Sequence, residues 1–170
     1  LPASGGDPGL VAPTDREVLD LIERHLSNGP STAPLSTQWE YARWKPGVSI
    51  TVVHSVTFGD GSRRLVTLKR YSELGAGKLD KQRSRDARHE ALCLPLKPEF
   101  RSRESRLALS CFPADRYLRG ITRLLDPRRT ARLLEACGWC EERSIRKRRT
   151  RFDLLRFKPE RRAVYALQLS

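Results

Sequence analysis

The spacing of hydrophobic positions changes several times along the chain, and each change marks an element. Val18, Leu21, Ile22 and Leu26 recur at helical spacing. Thr14 stands where a cap belongs, and Glu17, three residues later, completes a capping box. Gly29-Pro30 stops this helix, and Pro30 to Thr37 reads as a linker. From Trp39 to Thr57 the pattern alternates and is rich in β-branched residues. Pro46-Gly47 divides it into two short strands. Gly59-Asp60-Gly61 is a hairpin signal, and Leu65 to Tyr71 is the returning strand. Leu65, Thr67, Lys69 and Tyr71 fall on one face of that strand, and Val66, Leu68 and Arg70 on the other. The expected product is a three-stranded antiparallel meander.

The following stretch, Leu79 to Leu92, is charged and helical in tendency. Ala87, Ala91 and Leu94 are expected to face inward, with Glu90 near the end and Pro95 and Pro98 as stops. Leu107 to Phe112 reads as a strand, and Phe112-Pro113-Ala114-Asp115 turns the chain. Tyr117 to Leu125 carries one apolar stripe of Leu118, Ile121, Leu124 and Leu125. Asp126-Pro127 opens another helix, with Leu133, Leu134 and Cys137 as core candidates and Gly138 as its stop. Strand–helix–strand alternation does not dominate this order, so the fold class is α+β. The expected organisation is a disordered leader (1–13), a helix and linker (14–37), a β-meander plus helix (38–112), a helical connector (113–142) and a second β-module (143–170).

The second module is a copy of the first. Trp39-Glu40-Tyr41-Ala42-Arg43-Trp44-Lys45-Pro46-Gly47 returns as Phe152-Asp153-Leu154-Leu155-Arg156-Phe157-Lys158-Pro159-Glu160, with aromatic, Arg, aromatic, Lys and Pro at one constant offset. The second copy is expected to stop at Ser170, just where its strand begins. Together with a first residue that is not Met, this reads as a piece of a longer protein.

Net charge is +13, with 31% charged and 38% hydrophobic residues. A charge of that size attracts polyanions: nucleic acid, anionic lipid or phosphorylated small molecules. The apolar runs are too short to cross a membrane, and the Pro/Gly-rich start lacks the features of a secretory signal. Four cysteines (Cys93, Cys111, Cys137 and Cys140) form no disulfide framework, so reduced thiols and a cytoplasmic setting are expected. The Cys137-Gly138-Trp139-Cys140 spacing would suit a metal, but idle or buried thiols are the simpler reading, and no metal ligand set is assigned. His25, His54 and His89 form no ligand pair.

Lys69 is the residue with the sharpest chemical expectation. A lysine on a third strand, followed by a glutamate-bearing helix, is how kinase-like folds hold ATP phosphates; the glutamate steadies the ammonium. Lys69 and Glu90 fit these positions, with Glu73 as another acidic neighbour, and Asp60 and Gly61 would shape the hairpin. The alternative is an ordinary exposed strand lysine.

With Arg-aromatic-Lys-Pro-Gly, the Gly-Asp-Gly hairpin and a strand ending in Lys in view, the chain resembles the N-terminal lobe of the aminoglycoside/choline phosphotransferase family. Arg156-Phe157-Lys158-Pro159-Glu160-Arg161-Arg162 is closer to the family's form than the first copy, and Phe112-Pro113-x-Asp115 with the helices after it also resembles segments found between such modules. The resemblance covers roughly Trp39 to Leu169. It implies two kinase-like β-meanders, ATP with Mg²⁺, and phosphoryl transfer to a small acceptor. The family's His-x-Asp loop is absent, so the chain is expected to be inactive alone and to need a C-terminal lobe of the same protein as partner. Two readings from other classes stand beside it. One is a basic nucleic-acid-binding module using Arg146, Lys147, Arg148, Arg149 and Arg151; the other is a non-catalytic protein-interaction domain.

Overall fold

A computed structural model describes residues 10–29, 32–79, 92–115, 117–118, 120–138 and 150–169. The chain is α+β and divides into two compact units, residues 1–114 and 115–170.

The first unit is built on one antiparallel sheet. Helix α1 (Asp15–His25) precedes strands β1 (Pro34–Lys45), β2 (Ser49–Phe58) and β3 (Arg63–Tyr71), then β4 (Glu99–Ser102) and β5 (Leu107–Cys111), in the spatial order β1-β2-β3-β5-β4. The expected meander is present. It is longer than the sequence pattern suggested, because β1 begins at Pro34, inside the expected linker. Its first residues are mostly exposed, so they lack the alternation that marks a strand.

Helix α1 forms where the apolar spacing placed it. Thr14 Oγ1 accepts from Glu17 N at 3.3 Å. Val18, Ile22 and Leu26 are fully buried, each contributing about 1.5–3 kcal/mol of apolar burial. They pack in one core with Ile50, Val52, Val56, Phe58, Val66, Leu68, Leu107, Leu109 and Cys111. The Glu17 carboxylate pairs with the guanidinium of Arg70 on β3, tying the helix to the sheet. His25 stacks on Phe100 of β4 with ring centroids 3.8 Å apart.

Most of the expected helix from Leu79 to Leu92 lies outside the described residues, including Ala87, His89, Glu90 and Ala91. A 3-10 turn (Ala76–Lys78) leads toward it. Leu94, expected to face inward, is 58% exposed. Its backbone carbonyl accepts from Arg64 at 3.3 Å, so the segment is held by its main chain rather than by that side chain.

The second unit carries short helices α2 (Ile121–Leu124) and α3 (Pro127–Ala136), and a two-stranded sheet of β6 (Thr150–Lys158) and β7 (Arg162–Leu169). The helix expected from Tyr117 is shorter. Asp115 Oδ1 accepts from the backbone N–H groups of Tyr117 (2.9 Å) and Leu118 (3.2 Å), fixing a turn there instead. Asp126 caps α3 with Pro127 in its first turn, and Gly138 closes it at φ +70, as the sequence indicated. Leu133 and Cys137 are exposed rather than buried. Among the described side chains of α3, Thr130 and Ala131 are buried, and Thr130 Oγ1 donates to the Leu124 carbonyl of α2 at 2.7 Å.

The twin signatures share one turn. Val48 N donates to the Lys45 carbonyl at 3.0 Å, and Arg161 N to the Lys158 carbonyl at 3.1 Å. Lys45 pairs with Ser49, and Lys158 with Arg162. Gly47 and Glu160 occupy equivalent places at φ +63 and φ +62, the left-handed residue of a type II turn that follows proline. The second copy does not stop where its strand begins: β7 is a full strand of 8 residues. The bulges differ, falling between Trp39 and Tyr41 in one copy and between Leu154 and Arg156 in the other.

Each turn has its own support. In the first, Ser72 Oγ donates to the Gly47 carbonyl (2.7 Å) and accepts from Gly75 N (3.0 Å), while Ser72 N donates to the Val48 carbonyl (3.0 Å). In the second, Asp115 Oδ2 accepts from Glu160 N at 2.8 Å.

Two stability outcomes follow. A Cβ on Gly75 would lie 2.2 Å from the Val48 carbonyl oxygen, whereas one on Gly77 meets nothing within 4 Å. Gly75→Ala is expected to cost about 1–3 kcal/mol by urea denaturation, with Gly77→Ala much milder; equal effects would contradict the packing. Glu160→Gly is expected to stabilise the second unit by about 0.5–1 kcal/mol, because a non-glycine residue at positive φ costs about 1–2 kcal/mol and glycine returns part of that as unfolded-chain entropy. A lowered unfolding midpoint would overturn the turn assignment.

Candidate phosphate-binding face

Strand pairing brings together residues that the sequence keeps apart. Arg43 pairs with Thr51, Thr51 with Lys69, Lys69 with Ala108, and Ala108 with Arg101. One row across β1, β2, β3, β5 and β4 therefore reads Arg, Thr, Lys, Ala, Arg, on the face opposite α1. The next row is Tyr41, Val53, Thr67, Ser110 and Glu99. With strands about 4.8 Å apart, Arg43 and Arg101 each stand about 10 Å from Lys69 at the backbone. The intervening residues are small, so the long cationic chains rise from a low floor. That floor includes buried hydroxyl residues: Ser49, Thr51, Ser55 and Thr67.

Lys69 holds the centre of the row. It is half-buried, and its Nζ lies 5.1 Å from the Tyr71 ring centroid, over the face of a fully buried aromatic. Arg101 pairs with the Glu99 carboxylate, which fixes one edge. Lys69 was identifiable from the sequence. Arg43 and Arg101 were not, since only the pairing register puts them in its row.

The other predicted residues are placed as follows. Asp60 and Gly61 form the β2–β3 turn: Asp60 Oδ1 accepts from Ser62 N at 2.8 Å, and Gly61 has φ +77. Hydrogen bonding to Ser62 holds the Asp60 carboxyl below its ordinary range. From Arg63 to Lys69 the strand runs about 20 Å at roughly 3.3 Å per residue, so this turn is not beside Lys69. The turn at Lys69's end of the sheet is Lys45–Val48. Glu90 lies outside the described residues, as do Arg146, Lys147, Arg148, Arg149 and the side chain of Arg151.

A second group of cations is on the β6–β7 hairpin. Arg156, Lys158 and Arg162 share a face by strand alternation and register. Repulsion from Arg156 first, then from Arg162 and Arg161 together with some desolvation, lowers the proton affinity of Lys158. Like charges directly opposite each other oppose pairing unless an anion screens them.

No group of His, Cys, Asp or Glu side chains that could hold a metal occurs among the described residues. No described helix is long and apolar enough to cross a membrane. Compared with known proteins, the chain matches no family model, no curated protein and no solved structure.

A histidine lies in the core instead. His54 on β2 is 1% exposed; its Nδ1 is 2.9 Å from Thr37 Oγ1 and 3.8 Å from Asp15 Oδ1. Its Nε2 is buried and has no hydrogen-bond partner among the described residues. Burial lowers the His54 pKa, and the Asp15 charge opposes this only in part. His25 shifts the same way, through desolvation and the charges of Arg24 and Lys97. The unfolded chain thus binds more protons below about pH 6.5. Stability is complete above that pH and declines as pH falls toward the depressed folded-state values. Urea midpoints at pH 7.5 and 5.5 test this. His54→Gln is expected to flatten the decline, and an unchanged slope would remove His54 as its source.

Proposed function

We propose that the chain is the N-terminal portion of an ATP-dependent small-molecule phosphotransferase-like protein, and that the sheet of the first unit contacts nucleotide phosphates through Lys69. The supporting observation is the Arg43–Thr51–Lys69–Ala108–Arg101 row: a lysine on the third strand of an antiparallel sheet, flanked by two guanidinium groups over a floor of small side chains. A polyphosphate carries charge along its length, and three cations at about 10 Å backbone intervals can meet it at several oxygens. Lys69 supplies a point charge and Arg43 a planar donor pair, while Arg101 offers only the part of its guanidinium that Glu99 leaves open.

The residues fit phosphate but not the whole reaction. Magnesium is held by carboxylates in such chemistry. The described residues bring together no such cluster, so no step is assigned to the metal. A base for the acceptor hydroxyl and metal ligands would come from a C-terminal lobe of the same protein. On this reading the chain binds nucleotide without turning it over, in a cytoplasmic setting.

The crowding around Lys158 favours a second reading, a basic module for nucleic acid that would also use Arg146, Lys147, Arg148, Arg149 and Arg151 of the sequence. Titration separates the two. A fluorescent ATP analogue is expected to bind saturably, and Lys69→Ala to weaken it about 10-fold or more, the loss of one charge-assisted hydrogen bond worth about 1.5–3 kcal/mol. Circular dichroism should be unchanged. Absence of saturable binding, or equal affinity of Lys69→Ala, would overturn the proposal. Tight binding of labelled RNA or DNA with a steep salt slope, without ATP binding, would favour the second reading.

A further inference from the structure

We infer that Cys93 and Cys111 form a redox pair that closes to a disulfide inside the first unit. Both residues are fully buried in the same core, although 18 positions apart in the chain. Cys93 Sγ donates to the Cys111 carbonyl at 3.3 Å, and Cys111 Sγ to the Phe112 carbonyl at 3.5 Å. Neither chain end of the pair is loose. Cys111 ends β5, its N–H donating to the Pro98 carbonyl at 2.8 Å and its carbonyl accepting from Ala114 N at 2.8 Å; the Cys93 carbonyl accepts from Leu96 N at 2.9 Å. The Cys93 sulfur therefore already lies against the Cys111 residue in the reduced fold.

The surroundings favour one sulfur as nucleophile. Arg64 reaches this corner, its guanidinium donating to the carbonyl of Leu94, next to Cys93, at 3.3 Å. Its Nε is buried without a partner among the described residues. The hydrogen bond from Cys111 and the Arg64 charge hold the Cys93 thiol below its ordinary range, while the same contact and burial push Cys111 up. Cys93 is the attacking thiolate and Cys111 the resolving thiol.

With a low-molecular-weight disulfide as oxidant, the Cys93 thiolate attacks one of its sulfurs and expels one small thiolate. Cys111, deprotonated, then attacks Cys93 Sγ in the mixed disulfide and expels the second. The protein loses two protons and two electrons, and the small disulfide is reduced to two thiols. Burial makes the reaction depend on local opening, so it is slow in the folded state and faster under mild denaturant.

The test uses the full chain carrying Cys137→Ser and Cys140→Ser, equilibrated with oxidised glutathione, with and without sub-denaturing urea. The expected product has lost two hydrogens, resists alkylation after unfolding, and yields a peptide linking Cys93 to Cys111. Its unfolding midpoint rises and returns on reduction. Adding Cys93→Ser, with folding checked by circular dichroism, should leave Cys111 alkylatable or glutathionylated, and Arg64→Gln should slow closure several-fold. Two fully alkylatable thiols at equilibrium in both conditions, stable mixed disulfides, or disulfide-linked dimers would each overturn the proposal.

Discussion

Strand β2 is buried along nearly its whole length, on both faces, and the first unit is organised by the need to cover it. One face carries Ile50, Val52, Val56 and Phe58, which α1 covers with Val18, Ile22 and Leu26. The opposite face carries Ser49, Thr51, Val53 and Ser55, mostly small hydroxyl residues. A strand buried on both sides is normally a continuous apolar run; β2 is apolar on one side except at His54 and hydroxyl-rich on the other. Small polar side chains cannot fill space by themselves, so the neighbouring strands must overhang them with long ones. In the strands that flank β2, Arg43 and Lys69 stand beside Thr51 in the central row, with Arg101 three strands away on β4. The hydroxyl-rich side of β2 therefore shares its face of the sheet with the cationic row.

What the sequence disclosed was local. Helix α1 and the cap of α3 rest on contacts within a few residues, as do the turns at Pro46-Gly47 and Gly59–Gly61, and all were readable. Strand β4 was not. Glu99-Phe100-Arg101-Ser102 has charged residues at half its positions and only Phe100 partly buried against the core, because it is an edge strand paired on one side. The early start of β1 was hidden for the same reason: pairing with β2, not hydrophobic alternation, makes Pro34 to Thr37 a strand.

The candidate site divides along the same line. Lys69 could be chosen because a strand and its two faces are visible in spacing alone. Its companions Arg43 and Arg101 are defined by register across four interfaces, and register depends on where bulges and edges fall. Asp60 and Gly61 show the converse. Their turn was legible, but nearness in sequence to β3 says nothing about which end of β3 the lysine occupies. Lys69 is close to the far end, so the loop beside it is the one between β1 and β2.

The two copies of the aromatic-Arg-aromatic-Lys-Pro signature separate these levels cleanly. The left-handed residue of the turn is reproduced to within a degree in φ, even though it is glycine in one copy and glutamate in the other. A glutamate there carries strain that local sequence does not relieve, so something non-local must hold it. Asp115 does, accepting the Glu160 N–H with one oxygen while the other fixes the turn at Tyr117 and Leu118. The glycine copy carries no such strain, and its support is a serine hydroxyl bonded to carbonyl oxygen. The buried carboxylate therefore occurs with the strained copy, which accounts for Phe112-Pro113-Ala114-Asp115 standing ahead of the second module: its aspartate completes a turn that the repeated motif alone would leave under strain.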